Sequence, residues 1–196
     1  FCCGGKRPLK EACAEKGLDP EAVLCDLLAE SPSPGGPGKE PDWTRATLAA
    51  LTDDIVGSHH AFLRREIPRL TTLLQKVVHR HGEKHPELRA VEEIFLRFVQ
   101  EMHAHMFKEE AILFPAIRAI EAGVDPAGFP CGSLEAPITE MEHEHDQAGD
   151  ALKDMRRLTA GFTPPEEACM SYRALLEGLA GIESDMHVHV HKENSI

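Results

Sequence analysis

His105-Met106-Phe107-Lys108-Glu109 and His189-Val190-His191-Lys192-Glu193 are two short words with a single spacing. Each sets an imidazole and a carboxylate four residues apart, so on a helix both groups share one face, one turn from each other. The residues around each word recur at helical spacing, and the His and Glu fall on the apolar stripe itself. The first stripe reads Phe95, Phe98, Met102, His105, Glu109, Ile112. The second reads Leu175, Leu179, Ile182, Met186, His189, Glu193, Ile196. A carboxylate carried into an apolar core beside an imidazole is costly unless something pairs with both, and a metal ion does so most economically.

Working outward, two more stripes carry a histidine each. One is Ile138, Met141, His145, Ala148, Leu152, Met155; the other is Val56, His60, Leu63, Ile67, Leu70, Leu74, Val77. A rival register for the latter, through Ile55, His59 and Phe62, runs into the charged Glu66. His103, His143, His187 and His191 fall off their stripes, and His79, His81 and His85 lie around a turn; these read as solvated or inert. Each helix therefore offers one inward histidine. The candidate metal ligands are His60, His105, Glu109, His145, His189 and Glu193. A single inward histidine is an ordinary core residue, but six such groups in register on four helices, with a repeated spacing, are not independent accidents. The count suits a dinuclear site of pseudo-twofold symmetry, with four terminal imidazoles and two bridging carboxylates. Metal pairs of this kind sit about 3.5–4 Å apart. A donor set of nitrogen and oxygen excludes a thiolate site. Open positions over two ions suit iron or manganese, and imidazole-rich ligation favours iron.

The stripes belong to four helical segments, roughly 45–81 (with a bend expected at Pro68), 86–121 (interrupted near Pro115), 134–159 and 165–196. No strand alternation is visible, so the fold class is all-α, an up-down-up-down four-helix bundle over 42–196. Ahead of it, Ser31 to Pro41 is a Pro/Gly/Ser linker, and residues 1–30 form a small helical module. Its two helices are expected at 8–16, closed by Gly17, and at 20–30, opened by Asp19-Pro20-Glu21.

Composition narrows the functional classes. A net charge of -12 argues against nucleic acid and anionic membranes as partners. No apolar run approaches the roughly 18–20 residues of a membrane span. The six cysteines are scattered and form no C-x-x-C pair, which suits a reducing cytoplasm. The chain opens on Phe1 without an initiator Met and stops at Ile196 without a helix-stop signal, so it reads as part of a longer protein.

Several of these words together resemble hemerythrin-like di-iron proteins, and one branch closely, the iron–sulfur cluster repair (repair of iron centres) proteins. The resemblance rests on Phe1-Cys2-Cys3-Gly4-Gly5-Lys6 with Leu9 and Ala12-Cys13, and on His59-His60. It extends through His105 to Glu110 with Ile112-Leu113-Phe114-Pro115, Met141 to Asp146 with Ala148-Gly149, and His189 to Asn194. The family selects the same six ligands. Two features of it are absent, a helix before the Cys-Cys word and a Leu-Phe-Pro run after Glu193, and both read as missing ends.

The resemblance implies a stress protein that restores iron–sulfur clusters damaged by nitric oxide or peroxide. It would hold two non-haem Fe2+/Fe3+ ions, oxo- or hydroxo-bridged, and supply iron or handle NO there. Damaged iron–sulfur proteins would be its clients, NO or O2 its small ligands, and a homodimer its oligomer. Cys2 and Cys3, beside Lys6-Arg7, are candidate functional thiols, or else ordinary thiols on a chain end. Glu144, beside His145, is a candidate acid on a polar exit route, or else an exposed carboxylate. The competing functions are O2 carriage or sensing, which leaves the Cys-Cys module without a role, and enzymatic NO reduction or peroxidase chemistry.

Overall fold

The structure, a computed structural model, describes residues 8–30, 43, 46–125 and 134–194. Cys2, Cys3, the linker 31–41 and Ile196 lie outside the described residues. Among the described residues there are helices and no strands. The short helices come first, α1 (Leu9–Lys16) and α2 (Pro20–Glu30), packed on each other. Gly17 ends α1 with φ 64°, a left-handed conformation that favours glycine. Asp19 Oδ1 accepts from the Glu21 backbone N–H at 3.1 Å at the start of α2.

The rest is a bundle with two interruptions. α3 (Leu48–Asp54) passes through a π-helical turn, Ile55–His60, into α4 (Ala61–His81). α5 (Glu87–Lys108) passes through a second π turn, Glu109–Leu113, into α6 (Phe114–Glu121). α7 (Glu135–Leu158) and α8 (Met170–Glu193) complete it. α5 lies along α7 and α4 along α8, with α4 and α5 also in contact. Residues Leu63, Leu70, Leu74, Phe95, Phe98, Met155 and Leu175 are completely or almost completely buried between them. Burial of each such side chain contributes about 1.5–3 kcal/mol. α8 approaches α4 so closely that a Cβ on Gly178 would sit 2.4 Å from Leu70 Cδ2.

The two π turns correct the sequence registers. A π turn inserts one residue into the helical repeat, so the inward position arrives five residues later instead of three or four. Ile55, not Val56, is the buried residue ahead of His60, and Ile112 is 56% exposed while Leu113 and Phe114 are buried. The expected break at Pro115 comes just upstream of it. Pro115 has no N–H for the Ala111 carbonyl, which disfavours the α ladder there, and it sits in the first turn of α6 where no donor is needed. α4 continues as a helix through Pro68. Ile138 is 46% exposed because α7 starts beyond the end of the main core.

Two boundaries also differ. The first long segment starts at Leu48, not 45, because Thr47 is its N-cap, its Oγ1 accepting from the Ala50 N–H at 3.1 Å. Glu121 receives the next donors, Leu48 N–H at 2.6 Å and Ala49 N–H at 3.0 Å. The last helix starts at Met170, not 165. Residues 166–169 form a turn that buries Ala168, and the Ala168 and Glu166 carbonyls accept from Arg173, each at 3.1 Å.

Beyond the π turns, α3, α6 and the start of α7 enclose a second, smaller core of Leu51, Ile55, Leu113, Phe114, Ile117 and Met141, with Trp43 against it. The six candidate ligands lie between this cap and the main core.

Candidate metal centre

Each ligand is placed by a packed element. His60 ends the first π turn, and Glu109 begins the second, one turn after His105 on α5. His145 lies on α7, and His189 and Glu193 on the last turns of α8. The antiparallel bundle brings all six to one end. Their side chains are almost wholly buried, His60 and His189 at 0%, Glu109 at 1% and Glu193 at 6% exposure.

The two carboxylates each reach both ways. Glu109 presents Oε2 to His60 Nε2 at 3.2 Å and Oε1 to His105 Nε2 at 3.4 Å. Glu193 presents Oε2 to His145 Nε2 at 2.9 Å and Oε1 to His189 Nε2. Two donor sets result, His60, Glu109, His189, Glu193 and His105, Glu109, His145, Glu193, each with its ligand atoms within 4.8 Å of one another. They share both carboxylates.

As protein alone the arrangement is poorly satisfied. His60 Nε2, His189 Nε2, Glu109 Oε2 and both oxygens of Glu193 are buried without a hydrogen-bond partner. His105 Nε2 and His145 Nε2 face each other at 3.1 Å. Such orphans are rare in folded proteins and each costs about 1–3 kcal/mol. Cations held between these lone pairs would satisfy them all, so the residues present fit a metal pair.

Protons compete for the same atoms. Burial lowers the pKa of His105, but hydrogen bonding and charge from Glu109, with Glu193 and Glu144, outweigh it and lift the value to about 9. His60 is also raised, burial being overcome by Glu109, Glu110 and Glu193. Glu193 is held well below the usual carboxylate range, since His189 and His145 outweigh the upward push of burial.

Outside the cradle, carboxylates hold two of the imidazoles by their other nitrogen. His60 Nδ1 lies 2.6 Å from Glu110 Oε1, which also accepts from Arg64 at 2.7 Å. His105 Nδ1 lies 2.8 Å from Glu144 Oε2, and Lys108 donates to the same carboxylate. Glu144 is therefore neither a free surface acid nor, in this arrangement, pointed at solvent alone. Burial pushes its pKa up, but Lys108 and His105 prevail and hold it low. The registers missed Glu110, although the tandem Glu109-Glu110 was there to suggest it.

The registers also misjudged His59. It is buried, its Nδ1 2.9 Å from Asp185 Oδ1, because the π turn brings consecutive histidines inside. His81 and His85 pack against Tyr172, and His81 Nε2 lies 3.1 Å from Cys169 Sγ. His103, His143, His187 and His191 are exposed, as the registers required.

A cavity of about 290 Å3 reaches Glu109, His145 and Glu193, walled by Leu113, Phe114, Ile117, Ile138 and Met141. It lies against the cap core, its walls shared between cap residues and the cradle.

Residues 51–196 match the hemerythrin HHE cation-binding domain. The chain belongs to the hemerythrin family. Residues 1–31 match a second family, described as a domain of unknown function, DUF542. Over the whole length this hemerythrin is similar to the iron–sulfur cluster repair proteins YtfE. It is 36% identical to that of Citrobacter koseri over 198 aligned residues, covering 100% of this chain and 83% of the relative. To that of Escherichia coli O157:H7 it is 35% identical, with the same coverage of both chains. No described helix is long and apolar enough to cross a membrane.

Proposed function

We propose that this protein is an iron–sulfur cluster repair protein whose cradle holds two non-haem iron ions. Three things support the reading: the hemerythrin fold, the similarity to YtfE along the full chain, and the donor geometry. The observation that carries it is the sharing of Glu109 and Glu193 between two otherwise separate donor sets. One ion would require four converging donors and leave the remaining pair of imidazoles unused.

When bound, iron would supply a redox-active centre able to take up NO or O2 and to be drawn on as a store of iron. The chain's residues set the terms of both uses. Glu109 and Glu193 offer each ion an anionic oxygen. Glu110 and Glu144 hold the His60 and His105 rings in plane and fix the proton on Nδ1, leaving Nε2 for metal. His145 Nδ1 and His189 Nδ1 have no such support, so each donor set combines an anchored imidazole with an unanchored one. The largely apolar cavity has room for a diatomic ligand at the cradle. Iron–sulfur proteins would be its clients, and Cys2 and Cys3 are the candidate thiols for handing iron over.

The test is anaerobic reconstitution with ferrous iron, metal analysis and Mössbauer spectroscopy, followed by transfer to an apo-cluster protein. The expected result is two irons per chain, cluster restoration by the loaded protein, and loss of both on Glu109→Leu. Fewer than about 1.5 irons per chain, or zinc at both positions, overturns the di-iron reading. The apolar cavity also favours a second reading, binding or reduction of a diatomic gas as the main activity. A stable coloured O2 adduct, or N2O formed over many turnovers without restoration of any cluster, would select it.

A further inference from the structure

On α8, Asp185, His189 and Lys192 recur at i, i+4 and i+7, so they lie on one stripe of the helix. The stripe is polar and yet covered: His189 and Lys192 are buried, and the Asp185 side chain is 18% exposed. The first π turn, Ile55–His60, packs on this part of α8. The two ends of the turn meet the two ends of the stripe. Lys192 Nζ donates to Asp54 Oδ2 at 2.8 Å, just before the turn, and His59 Nδ1 lies 2.9 Å from Asp185 Oδ1, near its close. Between these links the His59 ring lies parallel to the His189 ring, 5.2 Å between centroids and 3° between planes.

A π turn is rare, and unusual backbone persists where its surroundings over-determine it. Here Gly57 and Ser58 are exposed, and a Cβ on Gly57 would meet nothing within 4 Å, so little packs on the middle of the turn. Its ends carry the restraint. Asp54 adds an internal tie, its Oδ1 accepting from Ser58 Oγ at 3.2 Å. The Trp43 ring lies against Lys192, 5.2 Å from Nζ to the ring centroid, and covers the outer link. His60, the ligand that the turn carries, shares a donor set with His189, the ligand between the links. The other set takes His105 and His145 from α5 and α7, and neither link includes a residue of those helices.

We propose that Asp54, Lys192, His59 and Asp185 are positioning residues that clamp the first π turn on α8 and thereby govern one metal position of the two, that of His60 and His189. The proposal rests on the di-iron reading and divides it, for the two positions have like donors but only one depends on the clamp. Opening either link frees the turn to move off α8 and withdraws His60. Glu109, Glu193, His105 and His145 still hold the second iron. The clamped position is then the one from which iron is drawn first.

The experiment uses the full chain loaded with ferrous iron, its iron content measured first. Release to a saturating chromogenic ferrous chelator is then followed in time. Lys192→Met keeps the buried stem and removes the donor, and Asp185→Ala removes the other link. Each is expected to release one of its two irons at least about tenfold faster than the wild type and the other at the wild-type rate. Wild-type release of both irons overturns the proposal, and so does equal acceleration of both. Gly178→Ala disturbs the α4–α8 contact about 16 Å along the helix from His189. It is expected to leave release unchanged; if it reproduces the split, the effect is one of general stability and the clamp is refuted. Should Lys192→Met fail to fold, Asp54→Ala breaks the same link from α3 and decides. In metal-stripped protein the same variants should speed amide hydrogen exchange in 56–60 at least about tenfold. Unchanged exchange there overturns the clamp whether or not iron binds. A wild-type chain that never loads two irons fails the di-iron reading itself, a result that is seen before any variant is compared.

Discussion

At the scale of single residues, the centre is a competition between protons and metal for the same lone pairs. Glu110 and Glu144 decide part of it, because a carboxylate on Nδ1 raises the donor strength of Nε2 for either competitor. Glu110→Gln and Glu144→Gln should each weaken iron binding about tenfold in a chelator competition, with two irons still bound at saturation. In the metal-free chain the proton wins. The folded pKa of His105 is raised from 6.5 to about 9, despite burial, by Glu109, Glu193 and Glu144. A raised pKa contributes stability that is complete below the unfolded value and lost as pH rises through the folded one. The melting temperature of chelator-stripped protein should therefore fall between pH 6.5 and about 9. Iron-loaded protein should lack that fall, since metal has replaced the proton. A flat profile for the stripped chain would contradict the charge pattern described for the cradle.

At the scale of elements, the π turns explain what the sequence did and did not disclose. On α7 and α8 the helical repeat runs undisturbed through the ligands, so His145, His189 and Glu193 could be read from spacing alone. On the other two helices the repeat holds on one side of the ligand only. His60 and Glu109 were legible by counting from the main core, while Val56 and Ile112 were misplaced because counting continued across an inserted residue. His59 was set aside with the rival register that runs into Glu66, and Asp185 was not singled out at all. They meet across two helices, a relation that no period along one helix expresses. Gly178 belongs to this scale too. It carries no chemistry but sets the distance between α4 and α8, and Leu70 opposite it is fully buried and has no room to yield. Gly178→Ala should destabilise the protein by about 1–3 kcal/mol in urea unfolding, even though alanine is the better helix former.

At the scale of the whole molecule, the described residues form two hydrophobic cores with a polar layer between them. The bundle core is the more extensive of the two. The cap, formed by α3, α6 and the first turns of α7, is small; Glu121 on the α3 N-terminus and Arg118 Nη2 donating to Asp53 at 2.7 Å hold α3 and α6 together, and Lys192 Nζ donating to Asp54 at 2.8 Å ties α3 to α8. His60 and Glu109 are at once the cap's junctions with the bundle and members of the cradle. Iron binding and cap closure are then one linked equilibrium. Hydrogen exchange should show it: removing iron should speed exchange in 48–60 and 109–121 while leaving the middle of α4, α5, α7 and α8 protected. Uniform acceleration across all helices would show instead that the layer holds the entire bundle. The backbone at this end thereby becomes a gauge. A protein that gives away its metal would register the loss as a loosened cap, and a partner able to sense that surface could tell a full carrier from a spent one.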